Sequence, residues 1–416
     1  MNNQLGLRPL AILVCLAIAV LLAGCQTLKT MVTRDTDKPQ KEESEKPAQL
    51  ATFNEEGRLK VLWRRNIGRG IGTKYIDLTP AVTSDTVFAA DAYGMLVSMR
   101  RENGRVNWLT RIGKPMGKGF MNVMDRSDTS FVTGGIGVAD GSLYVGTARG
   151  EVVALSAADG SERWRVVLTS EVLSTPTTSP DAVFVQTSDG NLFALNREDG
   201  TQLWVFHSQI PLATLRGTST PVFDSGIVYG GFANGNIVAI DAASGELLWE
   251  QSVSLPEGTS ELDRMVDVDG KPLVERAAIV ASAHQGSTLA VRRSDGQPLW
   301  TAEVSSTKAL QSGYGLVFLV TEESEVVGLE QRDGTIAWRQ DGLLRRDLTD
   351  PLAYSNYIYV GDGFGFVHVI AQSDGRLVAR RRVDGTGIQP TLHQVDGTVY
   401  VQSKSGRLIA LDFERS

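Results

Sequence analysis

Polar and apolar positions alternate along this chain in short blocks. Runs of about five β-branched, aromatic and small residues, such as VFVQT, VYGGF and IYVGD, are separated by polar turns that carry glycine. Blocks this short, bounded by such turns, predict hairpins of strands. A longer phrase recurs above that rhythm: an apolar strand, a polar turn ending in Gly, three residues, then Trp. It reads ALSAADGSERW up to Trp164, and returns in variant form before Trp108, Trp204, Trp249, Trp300 and Trp338. The glycines Gly104, Gly160, Gly200, Gly245, Gly296 and Gly334 each stand four residues ahead of the tryptophan. One more copy, VIAQSDGRLVA, keeps Gly375 but has Ala379 in the Trp position.

A repeat of this kind, with Trp-to-Trp spacing from 38 to 56 residues, points to an array of one supersecondary unit rather than to two ordinary domains. Each unit reads as four strands, for example 176–179, Ala182–Gln186, Asn191–Asn196 and 202–206. The turns Asp189-Gly190 and Asn234-Gly235 fit two-residue hairpin loops. The strand around Trp63 lacks the upstream turn, whereas the C-terminal strand 408–412 stops before any Trp. The two ends therefore complete one repeat, which is how a ring closes without an open sheet edge. The expected fold is all-β: an eight-bladed β-propeller of four-stranded antiparallel blades over residues 58–416, closed by pairing the N-terminal strand into the last blade. The tryptophans read as fasteners between blades, each ring contributing on the order of 3 kcal/mol by burial. Ala379 marks a junction filled in another way, and a softer one.

A net charge of −7 with mixed signs lacks the basic stripe that nucleic acid requires. Both cysteines, Cys15 and Cys25, lie near the N-terminus, so the body holds no disulfide and no cysteine metal site. Arg8 precedes a fifteen-residue apolar run, PLAILVCLAIAVLLA, which is signal-peptide length and too short for a spanning helix. It runs into Leu22-Ala23-Gly24-Cys25, which resembles the bacterial lipobox. Residues 1–24 are accordingly read as a lipoprotein signal peptide and Cys25 as the acylated N-terminus; an ordinary signal peptide is the alternative. Several acyl chains anchor a protein durably where one is marginal. The segment 25–57 is rich in Lys, Glu, Asp, Thr and Pro and reads as a flexible tether.

Motifs for chemistry are mostly missing. His207, His284, His368 and His393 fall in different blades with no metal-ligand spacing. GKPMGKG at 113–119 misses phosphate-loop spacing. DVDG at 267–270 resembles a calcium loop, but its first ligand position would be Met265, which cannot bind a hard cation. Attention passes to the connections between blades, where a rigid scaffold carries its function. Two are long, 111–130 and 253–272. In a four-stranded meander all blade-to-blade connections share one face, which makes 208–217 (SQIPLATLRG) and 261–270 (ELDRMVDVDG) neighbours. Ile210, Leu212 and Leu215 beside Arg216, with Asp263, Arg264, Asp267 and Asp269 opposite, compose either a protein-binding patch or a set of ion pairs internal to the propeller.

The repeat is similar to that of pyrroloquinoline-quinone dehydrogenase propellers. More closely, the lipobox, the blade order, PLATLRGTSTP, TSELDRMVDVDG and the late segment DGLLRRDLTDPLAYSNYIYVGDGFGFVHVIAQSDGRLVARRRV resemble the BamB family, lipoprotein subunits of the outer-membrane β-barrel assembly machinery. The resemblance implies a non-enzymatic scaffold without cofactor, anchored through Cys25 to the periplasmic face of the outer membrane, where Gln26 after the cysteine directs it; retention at the inner membrane is the alternative. Implied partners are the periplasmic domains of the central subunit BamA, and unfolded outer-membrane proteins on their way to insertion. Implied contact residues are Leu215 and Arg216 in one loop and Asp267 and Asp269 in the other. A further apolar family position falls on Ala213, with Leu212 beside it. Two rival readings are a quinone-dependent dehydrogenase, for which vicinal cysteines are lacking, and an envelope propeller with another protein or a polysaccharide as partner.

Overall fold

A computed structural model describes residues 46–72, 76, 78–112, 132–256, 259–260, 262–388 and 390–416. The signal peptide, Cys25, the first part of the tether and the long junction after Ile112 lie outside the described residues. Residues Ala48–Ser416 form one compact unit. Its described strands make eight four-stranded antiparallel sheets, each in meander order. Blades 1 to 7 span 81–111, 132–167, 177–207, 222–252, 273–302, 311–340 and 352–382. Blade 8 takes three strands from 393–415 and its fourth from Gly57–Asn66. Trp63 of that strand pairs with Ala410, and Gly57 with Arg415, so the two chain ends close the ring as expected. In blade 3 the strands are Thr177–Thr178, Ala182–Gln186, Asn191–Asn196 and Gln202–His207.

Residue type sorts the strands by depth. The middle strands of the blades are buried except at their ends, and Ala182–Gln186 and Ser142–Thr147 throughout, because both sheet faces pack on neighbouring blades. Near-continuous Val, Leu, Ala and aromatic content is the composition of a strand covered on both faces. The fourth strand is more open: in Glu162–Val167 and Gln202–His207 only the Trp is buried, and the other residues are half-buried or exposed. Apolar clusters accordingly run between blades: Tyr144, Val152, Ala154 and Trp164 of blade 2 meet Val183, Val185, Phe193 and Leu195 of blade 3. The first strands of blades 1 to 4 touch in succession around the centre of the ring, as do those of blades 6, 7, 8 and 1.

The recurring phrase acts across blades. Trp204 donates its indole N–H to the carbonyl of Ala242 at 3.0 Å, and its ring lies against the turn of Gly245 in blade 4, not of its own blade. The same pairing joins Trp63 to Gly104, Trp108 to Gly160, Trp164 to Gly200, Trp249 to Gly296, Trp300 to Gly334 and Trp338 to Gly375. Each of these glycines has positive φ, and a Cβ there would sit within 2.8 Å of the indole. A β-bulge falls beside the Trp in every one of these third-to-fourth strand pairs, and bulges re-aim side chains. Where Ala379 replaces Trp, blade 8 has no hairpin turn between its third and fourth strands to receive an indole, because those strands, Arg407–Arg415 and Gly57–Asn66, come from distant parts of the sequence. Leu59, Phe413 and Tyr357 pack there instead.

Two local features differ from the sequence reading. The Asp189-Gly190 and Asn234-Gly235 turns are not two-residue loops. Thr187 N–H donates to the Asn191 carbonyl at 2.9 Å, leaving three residues between the closing pair, and only the glycine takes positive φ. A two-residue type I′ turn would need two such residues; the observed form is the three-residue one. The last part of the expected tether also touches the propeller. Ala48 N–H donates to the Leu344 carbonyl at 2.9 Å, Glu56 N–H to Val378 at 2.9 Å, and Glu56 pairs with Arg376 at 2.8 Å. Residues 48–56 thus run along blade 7, where the tryptophan is lacking.

Candidate functional site

The connection 208–221 between blades 3 and 4 and the connection 253–272 between blades 4 and 5 lie side by side. Their joint is a short series of contacts. Leu215 donates its backbone N–H to Oδ2 of Asp267 at 2.5 Å. Gly217 rests on the carboxylate of Asp269, so closely that a Cβ at 217 would stand 2.6 Å from Oδ2. Ser219 Oγ donates to the carbonyl of Gly270 at 3.0 Å. Three points spaced along 215–219 therefore fix the first loop upon the second.

Asp267 and Asp269 carry the electrostatics of the joint. Asp267 is fully buried, and its Oδ1 finds no hydrogen-bond partner among the described residues. Burial pushes its carboxyl up to about 6, opposed by the Leu215 N–H and by nearby His284. Burial likewise raises Asp269 to about 7, with the Asp267 charge adding to it. The backbone on either side is held too: Val268 N–H donates to the Phe232 carbonyl at 3.1 Å and His284 N–H to the Asp267 carbonyl at 2.9 Å. A small polar cavity of about 20 Å³ lies beside Asp269. Gln186, Thr187 and Gly190 of blade 3, Phe232 of blade 4, and Thr218 line it, so the middle hairpins and the blade connections share one face.

The outward side of the first loop is apolar and basic. Leu212 is 98% exposed and Ile210 44%. Ala213 and Leu215 are half-buried, and Arg216 is exposed. Arg216 pairs with Glu171 of the blade 2 to blade 3 connection at 3.1 Å, an exposed pair of small intrinsic worth. Leu255 and Leu262 add 71% and 66% exposed side chains from the second connection.

The structure thus brings Leu215, Asp267, Gly217 and Asp269 into one joint, and puts Leu212 and Arg216 on its outer surface. Asp267 faces Leu215, not solvent. Asp263 bonds within its own loop, accepting from Ser260 N–H at 3.2 Å. Glu171, Leu255 and Leu262 escaped the sequence reading; leucines flanked by charge in a long connection are the signal that could have found the last two. Met265 is buried, and among the described residues no group of three His, Cys, Asp or Glu side chains is placed to hold a metal ion. His207 bonds Asn191 at 2.6 Å and His368 bonds Asp362 at 3.1 Å. The segment 113–119 lies outside the described residues.

Comparison with known proteins gives a consistent picture. A family model described as outer membrane protein assembly factor BamB matches residues 121–340 and 322–415. Outer membrane protein assembly factor BamB of Shewanella oneidensis is 34% identical, over 94% of this chain and 97% of its own length. The crystal structure of BamB from Moraxella catarrhalis is 27% identical with TM-score 0.76, and covers 85% of this chain and 100% of its own. Quinohemoprotein alcohol dehydrogenase from Comamonas testosteroni has TM-score 0.67 at 15% identity, with 85% of this chain and 76% of that chain covered. At that identity the likeness is one of fold alone.

Proposed function

Because the chain belongs to the family of the outer membrane protein assembly factor BamB, we propose that it is a non-enzymatic scaffold that docks onto the periplasmic domains of BamA and assists insertion of outer-membrane proteins. The observation that carries this reading is the Asp267–Leu215 hydrogen bond at 2.5 Å. It fixes a loop whose outer surface is Leu212 and Arg216, the residue types that anchor protein interfaces. Preorganisation matters because a loop already held in its bound form loses less entropy on association. Asp267 and Asp269 act from beneath, as supports, while Leu212, Ala213, Leu215 and Arg216 meet the partner. Arg216 exchanges its exposed pair with Glu171 for a partner carboxylate at little cost.

Cys25 supplies the lipid anchor in this reading, and the chain between it and Ala48 the reach from the periplasmic face of the outer membrane. The test is capture of the BamA periplasmic domains by the full chain. Arg216→Glu should weaken capture by about 2 kcal/mol with the fold intact; unchanged capture removes Arg216 from the interface. Cys25→Ala should leave the propeller folded but release it from the membrane fraction. Bound quinone, or oxidation of alcohols or sugars by the purified protein, would favour the dehydrogenase reading instead.

A further inference from the structure

The face of the ring opposite the docking loops carries the turns between the first and second strands and between the third and fourth strands of the blades. Where blades 6, 7 and 8 meet on that face lies a cavity of about 140 Å³. Tyr314 reaches it from the first turn of blade 6. Asn356 and Tyr357 come from the first turn of blade 7 and the start of the next strand, and Ser373 and Arg376 from that blade's last turn. Arg415, at the end of the third strand of blade 8, completes the lining. All of these except Tyr357 are exposed, so the cavity opens to solvent. Cavities of roughly 150 Å³ take up benzene, and this one therefore has room for a single six-membered ring.

Tyr314 is an unusual residue for its turn. Five blades join their first two strands through two residues, closed by the pairs Ala139–Ser142, Asp224–Ile227, Gly313–Leu316, Tyr354–Tyr357 and Val395–Thr398. The first residue of each turn has positive φ, and in the other four it is Asp140, Ser225, Ser355 or Asp396. A bulky ring at φ +58° is strained where short polar residues are tolerated. Burial does not offset that strain, because Tyr314 is 67% exposed. Among the described residues neither its ring nor its hydroxyl has a hydrogen-bond or stacking partner. Residues held in such conformations concentrate at ligand sites.

The rest of the cavity is held in place. Tyr357 sets its ring edge-on to Phe413 at 4.9 Å. Gln372 donates from Nε2 to the Tyr357 carbonyl at 2.9 Å, and it packs on Gly313, where a Cβ would stand 2.5 Å from its Oε1. The turns of blades 6 and 7 are thereby locked together. Arg376 pairs with Glu56 at 2.8 Å and with Asp374 at 2.7 Å, so its charge is already met. Open to a ligand are the Tyr314 ring, the donors of Arg415, and the groups of Asn356 and Ser373 that both donate and accept. A tyrosine offers an apolar face beside a polar tip, and a few convergent polar groups around such a face fix a ligand's orientation. The set suits a ring with C–H faces and hydroxyls at its rim.

We propose that this cavity binds a neutral hexopyranose, as a free sugar or as one unit of a glycan, with Tyr314 against the ring face and Asn356, Ser373 and Arg415 at its hydroxyls. An aromatic side chain of a peptide would fill the same volume but leave those polar groups unmet. The site lies on the face opposite Leu212 and Arg216, so it does not depend on the partner assigned above.

Saturation-transfer NMR of the purified full chain with the methyl glycosides of glucose, galactose and N-acetylglucosamine tests this, with phenol and glucuronate as controls. Saturable transfer to at least one glycoside is expected. Tyr314→Asn, which places a short polar residue in the turn as the other blades do, should weaken it roughly tenfold, the worth of one aromatic wall, and leave the urea midpoint unchanged or raised. Tyr314→Phe should retain most of the binding, and Arg415→Gln should weaken it. No saturable transfer to any of the three glycosides, or equal transfer in wild type and Tyr314→Asn, would overturn the proposal. A lowered midpoint in Tyr314→Asn would assign Tyr314 to the fold and also overturn it. Tyr314-dependent binding of phenol in preference to every glycoside would overturn the sugar class, and glucuronate binding tenfold tighter than methyl glucoside would overturn its neutrality.

Discussion

Ala379 of blade 7 pairs across the ladder with Val369, whereas each tryptophan at that register faces a small residue. Trp108 faces Ser98, Trp338 faces Gly328, and Trp63, Trp164, Trp204, Trp249 and Trp300 face alanines. The size of the pair is thus conserved in the sum: a large outer residue takes a small inner one, and the reverse holds once. Gly328 makes the constraint plain, since a Cβ there would meet the Trp338 ring at 2.6 Å.

Restoring the repeat at Ala379 should therefore harm the protein. Ala379→Trp would press an indole onto Val369 with no following glycine turn to lie against, and overpacking of this kind costs roughly 1–3 kcal/mol. The double variant with Val369→Ala should recover part of that loss. Urea unfolding of the two variants measures both effects; a more stable Ala379→Trp would contradict the pairing rule.

At an ordinary junction both halves of the lock are needed. Trp204→Ala should destabilise by about 3–5 kcal/mol, as truncations of large buried aromatics do. Gly245→Ala should also destabilise, by roughly 1–3 kcal/mol, because φ there is +75° and the new Cβ would lie 2.7 Å from the Trp204 ring. Since the two changes act on one contact, their effects should sum to more than the double variant loses. Additive losses would mean that the glycine serves its own turn alone.

Blade number, strand order and ring closure were legible in the sequence because each rests on a local repeat. Gly, three residues and Trp mark every blade from 1 to 6, and Trp63 with the C-terminal strand marks the eighth. The glycine's partner was not legible: Gly245 and Trp249 are near in sequence, yet Gly245 meets Trp204 of the preceding blade. Asp267 and Asp269 look alike in DVDG, and only the three-dimensional path shows Asp267 bonded to Leu215 and Asp269 under Gly217. The strap 48–56 was hidden because its composition is that of a solvated tether, whereas Ala48, Arg346 and Glu56 are joined to blade 7 and its approach through specific hydrogen bonds.

The joint and the outer surface of the docking loop should respond differently to substitution. Asp267→Ala leaves the Leu215 N–H without its acceptor and should weaken capture of the BamA periplasmic domains by about 1–3 kcal/mol. Asp267→Asn, whose amide oxygen can still accept, should retain most of the affinity. That rescue identifies Asp267 as a positioning residue; equal loss in both variants would point to a need for its charge.

Leu212→Asp should lower capture by about 2 kcal/mol if this leucine is a central anchor, and leave the unfolding midpoint unchanged, because the side chain is 98% exposed. A shift in midpoint as large as the loss of capture would assign Leu212 to the fold.

The carboxyls beneath the loop should make stability fall as pH rises. In the folded chain Asp269 is raised to about 7 and Asp267 to about 6, mainly by burial, from an ordinary 3.8. A raised carboxyl binds its proton more tightly folded than unfolded, so folding takes up protons between about pH 4 and pH 7. The neutral forms therefore favour the fold at the acid end, and the cost of the buried charge grows as pH approaches 7. Asp269→Asn removes one of these charges while nearly preserving shape. It should be more stable than the wild type at pH 8, on the order of 1 kcal/mol once partial exposure is allowed for, and the difference should shrink steadily as pH falls from 7 toward 4. Urea unfolding of both proteins across that range isolates the effect from the many exposed carboxylates they share. A difference that does not change with pH would show that Asp269 titrates alike in the folded and unfolded chains, and that Gly217 rests on an ordinary solvated carboxylate.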